Sequence, residues 1–157
     1  MIGKVMDSIQ NTLEALSGSL FIAVFLFTMT NIVSRNLGGI AIRWIPGMIR
    51  LSFIWSVLLA TAVLYRRDDH LMVDYFVQKM GGKLRKTVRT VTDLLTLPFF
   101  SLVIIYGFRI TRVRMRISYE TWNFPTGYAY LALPVAAILM IVFNFERLFS
   151  FWKGRKR

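Results

Sequence analysis

Four long apolar segments, separated by shorter polar stretches, dominate the hydrophobic pattern of this chain. A helix needs about 20 largely apolar residues to cross the hydrocarbon core of a bilayer, and each segment has about that length. The last segment contains no charge from Trp122 to Phe145, and its Pro134 is tolerated in a membrane helix that neighbouring helices support. The pattern therefore predicts four membrane-spanning helices, at about residues 13–35, 44–66, 88–109 and 122–146.

A shorter amphipathic segment lies between the second and third predicted spans. Its apolar residues recur at helical spacing: Met72, Val73, Phe76, Val77 and Met80. We expect this segment to form an interfacial helix at about residues 70–80. A similar stripe from Ile2 to Leu16 leads into the first span, so the first helix should begin before the bilayer. The predicted fold is an all-α integral membrane protein with a single membrane domain over residues 1–157, four transmembrane helices and one interfacial amphipathic helix.

The composition supports a membrane protein and excludes several other classes. Hydrophobic residues make up 55% of the chain, above the roughly 45 to 50% of a soluble domain. There is no cysteine and only one histidine, His70, which excludes thiolate chemistry, disulfides and a haem held by two histidines. The net charge of +12 comes from basic residues between apolar runs, which suits flanks that face anionic membrane lipids rather than nucleic acid.

The distribution of Lys and Arg predicts the orientation. Four spans place both termini on one side of the membrane, and the side richer in basic residues is normally the cytoplasm. The termini and the link between the second and third spans carry Lys4, Arg66, Arg67, Lys79, Lys83, Arg85, Lys86, Arg89, Arg147, Lys153, Arg155, Lys156 and Arg157. The other side carries Arg35, Arg43, Arg50, Arg109, Arg112, Arg114 and Arg116. We therefore expect a multi-pass inner-membrane protein with both termini in the cytoplasm.

The side of the membrane that carries fewer basic residues is still unusually rich in arginine. Arg109, Arg112 and Arg116 fall on one helical face at the outer end of the third span. A basic patch on this side opposes the usual charge bias, which favours a function for it. Together with Arg35 and Arg43, these arginines are expected to dock an acidic soluble protein. Contact with lipid phosphates is the alternative.

Two charges lie just inside predicted spans. Arg50 and Asp93 are each one or two turns from a span end, where a long side chain can reach the interface at little cost. The alternative is a buried structural pair with a partner helix, and the sequence leaves both interpretations open.

No arrangement of residues suggests catalysis, which needs a nucleophile with a base, paired carboxylates or a metal-ligand cluster. The only local concentration of carboxylates with an imidazole is Asp68, Asp69, His70 and Asp74. A bound cation is conceivable there, but helix caps and solvated turns use the same residues. We expect no catalytic residue, no metal and no cofactor, and thus no enzyme.

The order and spacing of several short motifs resemble the small membrane subunit of tripartite ATP-independent periplasmic (TRAP) transporters. That family typically has a Ser-Arg pair after its first span, a Trp followed six residues later by an Arg, and then an aromatic residue. After its second span it has a basic residue, a His and an Asp. The corresponding residues here are Ser34, Arg35, Trp44, Arg50, Trp55, Arg66, His70 and Asp74, with Pro134 in the last span. Pro46 and Gly47 stand where many members have an acidic pair.

The resemblance implies a division of labour in a bacterial inner membrane. A periplasmic substrate-binding protein captures the solute, and a large multi-span subunit moves it with a sodium gradient. The small subunit supports that motion and helps to dock the binding protein. Family substrates are mostly organic anions such as dicarboxylates, sugar acids and sialic acids. The basic ending Lys153–Arg157 favours a large subunit on a separate chain. The expected partners are these two proteins and membrane lipids, without nucleic acid.

Two other functions compete with this one. A four-span homodimeric cation or drug antiporter needs a membrane-embedded carboxylate, and Glu14 and Asp93 are the only candidates, both near span ends. A lone membrane scaffold or assembly factor needs no special residue.

Overall fold

The computed structural model describes residues 2–37, 39, 41–67, 82–119 and 122–152. These residues form helices α1 (Ile2–Leu37), α2 (Ile45–Arg66) and α3 (Gly82–Arg114), strands β1 (Ser118–Tyr119) and β2 (Trp122–Pro125), and helices α4 (Gly127–Tyr130) and α5 (Ala132–Trp152). The predicted interfacial helix at about residues 70–80 lies outside the described residues.

Four helical segments are long and apolar enough to cross a membrane: Val5–Leu37, Ile45–Arg66, Leu94–Arg114 and Gly127–Glu146. They confirm the predicted all-α integral membrane fold with four transmembrane helices. At 1.5 Å per residue, the 36 residues of α1 extend over about 54 Å, well beyond a hydrocarbon core of about 30 Å. The apolar stripe at the N-terminus and the first apolar run therefore belong to one continuous helix, which projects beyond the bilayer.

The start of the fourth span differs from the expectation of a helix from Trp122. Residues 122–125 instead form β2, which pairs antiparallel with β1. The hydroxyl of Thr126 donates to the carbonyl oxygens of Arg114 (3.1 Å) and Ile117 (2.9 Å), so the chain folds back on the end of α3. A Cβ at Gly127 would lie 2.7 Å from the Met115 side chain, so only glycine fits at this position, where the chain turns back against the end of α3. The aromatic run is thus a hairpin, and the last span begins at α4.

The spans pack in the order α1, α2, α5 and α3, with α1 and α3 at the edges. Gly107 of α3 lets this helix approach α5 closely, because a Cβ there would come within 3.0 Å of Pro134. A core forms where Tyr65 of α2 meets Phe100 of α3 edge to face at 5.4 Å, with Phe143 of α5 alongside. The bundle therefore has a buried apolar core near the end of α2.

The edge helices bury little of their apolar surface inside the chain. Only 6% of the most apolar stretch of α1 and 17% of that of α3 are buried, against 44% for the last span. Phe21, Ile22 and Phe25 of α1 are each more than half exposed. In a membrane such faces meet lipid or another protein.

Candidate functional site

A buried arginine lies at the end of the bundle where α1 begins and α2 and α5 end, which we call the Arg66 end. The Arg66 side chain is only 3% exposed. Its Nε donates to Glu146 Oε2 at 2.9 Å, and its Nη2 donates to Glu146 Oε1 at 3.1 Å and to Asp7 Oδ1 at 2.7 Å. Its Nη1 donates to Gln10 Oε1. The guanidinium carbon also lies 5.5 Å from the ring centroid of Phe143.

We call these five residues, Asp7, Gln10, Arg66, Phe143 and Glu146, the Arg66 cluster. A buried guanidinium is costly unless its charge and its N–H groups are matched; here two carboxylates match the charge, and four of the five N–H groups donate hydrogen bonds. Glu146 is almost as buried as the arginine, whereas the Asp7 side chain is 65% exposed. The bidentate Arg66–Glu146 pair is therefore the main counter-charge, and Asp7 with Gln10 brings α1 into the same cluster.

Further polar contacts join the same helices. Arg67 pairs with Glu14 of α1, and both side chains are about half exposed. The Ser56 hydroxyl donates to the carbonyl oxygen of Ser17 at 2.8 Å, and it is buried between α2 and α1. The Asn144 amide donates to the Tyr65 hydroxyl at 2.7 Å between α5 and α2. Three helices are thus tied together by side-chain chemistry as well as by apolar packing.

From the sequence, Arg66 was predicted as a family position and as a basic residue of the cytoplasmic side, but its partners were not. Asp7 and Gln10 are polar residues of the N-terminal segment that carries the apolar stripe, and Glu146 is the last residue of the last span. The available signal was topological: four antiparallel spans bring the start of the first, the end of the second and the end of the fourth to one end of the bundle. Glu14, a candidate carboxylate for the antiporter, pairs with Arg67 instead.

The opposite end of the bundle, which we call the Arg50 end, contains the five arginines expected to dock a soluble protein. Arg35 lies in the last turn of α1 and Arg43 in the link to α2. Arg109 and Arg112 lie near the end of α3, and Arg116 follows it. All five side chains are exposed. The structure therefore gathers them at one end of the bundle.

Two more arginines at this end have tyrosine neighbours. Arg114 lies with its guanidinium carbon 5.1 Å from the ring centroid of Tyr130. Tyr119 of the hairpin interacts electrostatically with Arg50 and with Tyr130. Burial raises the pKa of the Tyr119 phenol, which outweighs the lowering by Arg50, while Tyr130 adds to the rise. Like an ordinary tyrosine, this phenol is protonated at neutral pH and can donate a hydrogen bond. We call Arg50, Arg114, Tyr119 and Tyr130 the Arg50 site.

The remaining family positions have structural contacts where they are described. Trp44 precedes α2, and its ring meets Phe27 edge to face at 6.1 Å. The Trp55 indole donates to the Tyr128 carbonyl oxygen at 3.0 Å, which fastens the start of the last span to α2. Pro134 is fully buried against Gly107. His70 and Asp74 lie outside the described residues.

The part of the chain that the structure describes contains no group of three or more His, Cys, Asp or Glu residues able to hold a metal ion. The acidic segment that the sequence singled out, Asp68, Asp69, His70 and Asp74, lies outside that part. The described polar groups thus tie helices together at the Arg66 end and present positive charge at the Arg50 end. These features define a multi-pass helical membrane protein.

The family model for the DctQ component of tripartite ATP-independent periplasmic transporters matches residues 24–154. This chain belongs to that family, as its motifs indicated, and it is accordingly a multi-pass protein of the inner membrane. The assignment also argues against the drug antiporter and the lone scaffold.

Two relatives carry sialic acid in their names. The sialic acid TRAP transporter permease protein SiaT of Haemophilus influenzae (strain 86-028NP) is 29% identical over 136 residues, which are 82% of this chain and 21% of that protein. The sialic acid TRAP transporter small permease protein SiaQ of Vibrio cholerae serotype O1 (strain ATCC 39315 / El Tor Inaba N16961) is 22% identical over 151 residues, which are 96% of this chain and 87% of that protein. This chain therefore matches about a fifth of the first relative and most of the second.

Proposed function

We propose that this protein is the small accessory subunit of a sodium-coupled, binding-protein-dependent transporter for organic anions, and that it acts as a scaffold rather than an enzyme. The observation that carries the proposal is that the two edge helices, α1 and α3, are largely exposed. The Arg66 end of the same bundle, in contrast, is held together by a buried ion pair. A large transport subunit packed on these helices would bury what the chain itself leaves exposed.

The SiaT comparison supports such a neighbour. There the matched region forms only 21% of a permease chain, so most of that protein is additional polypeptide attached to a unit like this one. In SiaQ, which is named a small permease protein, the match covers 87% of the length. We propose the second arrangement for this system, with the large subunit on a separate chain.

One face of α1 suits close helix packing. Ala15, Gly18 and Ser19 are exposed small residues, and a Cβ placed on Gly18 would meet no atom within 4 Å inside the chain. Small residues let membrane helices approach each other closely, because association there depends on van der Waals packing rather than on escape from water. This face of α1 is therefore the proposed contact with the large subunit.

We further propose that the Arg50 end faces the periplasm, with both termini in the cytoplasm, and docks the substrate-binding protein. The exposed arginines Arg35, Arg43, Arg109, Arg112 and Arg116 would attract an acidic surface and speed its encounter. The solute is an organic anion, and sialic acid is the first to test because both relatives are named for it. Solute recognition itself is assigned to the partner chains.

The test is detergent co-purification with the proposed large multi-span subunit. We expect the parent to recover that subunit and Gly18→Leu to recover much less, while the helical content of the small chain stays unchanged. Thr61→Leu is the control, because it introduces the same leucine at an exposed position of α2. Failure of the parent to recover the large subunit would refute the accessory function. Full recovery with Gly18→Leu would place the contact on another face.

A further inference from the structure

The exposed face of α2 is a single stripe with an arginine at its head. Arg50, Phe53, Val57, Thr61 and Leu64 follow one another at spacings of three and four, so they share one side of the helix. Phe53 is 49%, Val57 43% and Leu64 52% exposed. The stripe is thus cationic where α2 begins and largely apolar along the rest of its length.

Arg50 is not the only cation at the head of this stripe. Tyr119 interacts electrostatically with both Arg50 and Tyr130, and the Arg114 guanidinium carbon lies 5.1 Å from the Tyr130 ring centroid, so the Arg50 site joins α2, α3, the hairpin and α4. Both arginines are exposed and both tyrosines are half-buried. Two guanidinium groups and two phenols present hydrogen-bond donors, a set that suits an anion with several acceptor oxygens.

The sequence around this end supplies very little negative charge. Residues 31–50 and 106–128 contain seven arginines, no lysine and one carboxylate, that of Glu120. The local field is therefore strongly positive, and an anionic group is the complementary ligand.

The depth of the site identifies what the anion is attached to. Arg50 is the sixth residue of the span Ile45–Arg66, and it therefore lies near the membrane interface. One leaflet of the hydrocarbon core is about 15 Å thick, which corresponds to about ten helical residues. Counted from Ile45, that distance leads past Arg50 and Phe53 to about residue 55, so Val57 lies close to the middle of the bilayer. A ligand that matches both parts of the stripe has an anionic head and an apolar tail about one leaflet long.

We propose that the Arg50 site binds the phosphodiester of an anionic phospholipid, whose acyl chains lie along Phe53 and Val57. Arg50 and Arg114 contact the phosphate oxygens, and the Tyr119 hydroxyl donates a further hydrogen bond. This site is distinct from the five docking arginines and from the α1 face assigned to the large subunit. A bound lipid at this position would fix the hairpin against α2.

Native mass spectrometry of the full chain in mild detergent tests the proposal with phosphatidylglycerol as the probe. We expect the parent to retain phosphatidylglycerol in preference to diacylglycerol, and glycerol phosphate without acyl chains to leave that retention unchanged. Arg50→Gln should lower retention about tenfold, as expected for the loss of a charge-assisted hydrogen bond. Phe53→Ser should also weaken retention, because it removes an apolar contact with the acyl chains.

Arg112→Gln is the matched control, since it removes an exposed arginine from the same end but outside the Arg50 site. Tyr119→Phe removes one hydroxyl only and should weaken retention less than Arg50→Gln, which keeps the test decisive if the arginine variant does not fold. Equal losses in Arg112→Gln and Arg50→Gln would reduce the site to a general basic surface and overturn the proposal. Competition by glycerol phosphate or inorganic phosphate would overturn it in favour of a soluble anion. Lipid retention seen only in Glu120→Gln would mean that this carboxylate normally occupies the arginines, which also overturns it.

Discussion

Removing the charge of Glu146 should destabilise the bundle far more than the same change at Glu14. Glu146→Gln keeps the size and shape of the side chain but leaves the 3%-exposed Arg66 guanidinium with only Asp7, which is 65% exposed, as its carboxylate partner. Glu14→Gln acts on Arg67, and in that pair both side chains are almost half exposed. The two substitutions are chemically identical and differ only in burial.

The magnitude follows from the two hydrogen bonds that Arg66 donates to Glu146, at 2.9 and 3.1 Å. Removing one partner of a buried pair typically costs about 3 to 5 kcal/mol. The glutamine oxygen can still accept one of the two bonds, and Asp7 and Gln10 remain in place. We therefore expect a loss of about 2 to 3 kcal/mol for Glu146→Gln and less than about 1 kcal/mol for Glu14→Gln.

The assay is reversible SDS denaturation of the purified chain, followed by the fluorescence of its four tryptophans. A second arm replaces the pair by apolar residues in Arg66→Met/Glu146→Leu. Because an unpaired buried charge is the source of the cost, this double variant should recover most of the stability that Glu146→Gln loses. Equal stabilities of Glu146→Gln and Glu14→Gln would refute the argument, since burial would then make no difference.

Three further predictions test the orientation, the interfacial segment and the docking surface. Reporter fusions after Lys153 and near Gly39 should give cytoplasmic and periplasmic signals, respectively, and the reverse pair would contradict the proposed orientation. Phe76→Asp puts a charge into the predicted interfacial stripe and should lower assembly or transport, whereas parental behaviour in both would leave that segment without a membrane role. Arg109→Glu/Arg112→Glu should raise the binding-protein concentration needed for transport in proteoliposomes, most at low salt, because it slows the encounter. Co-purification with the large subunit is the control for the docking variant: lost assembly would assign these arginines to the membrane complex, and unchanged transport would leave them as lipid contacts.

The sequence predicted those features of the fold that depend on local apolar length. Each span contains an apolar run long enough to cross the bilayer, and the N-terminal stripe continues in helical register into the first one. The hairpin was not predicted because the residues from Trp122 onward are as apolar and aromatic as a helix start. They form a strand because of contacts with residues outside the segment: Thr126 donates a hydrogen bond to the end of α3, and Gly127 lies against Met115.

The candidate sites were predictable to different degrees. The arginines of the Arg50 end were found because their charge opposes the usual bias, a property of sequence and topology alone. The Arg66 cluster was missed because its pairs join residues 59 and 80 positions apart. Topology can place Asp7, Arg66 and Glu146 at one end of the bundle, but it cannot say which of several charged residues there is buried. Which charged residue is buried depends on how the side chains around Phe143 pack.

The partners of Arg66 leave the ribosome at different times. Asp7 and Gln10 are made before the arginine, whereas Glu146 follows it by 80 residues, roughly 4 to 16 s later at ordinary rates of synthesis. During that interval α1 is the only helix of the cluster that can supply counter-charge. Asp7, the more exposed carboxylate partner in the finished bundle, is therefore the one that can pair with Arg66 while the chain is incomplete, alongside the Arg67–Glu14 pair. We expect the loss of Asp7 to lower the yield of inserted protein more than the stability of the completed fold.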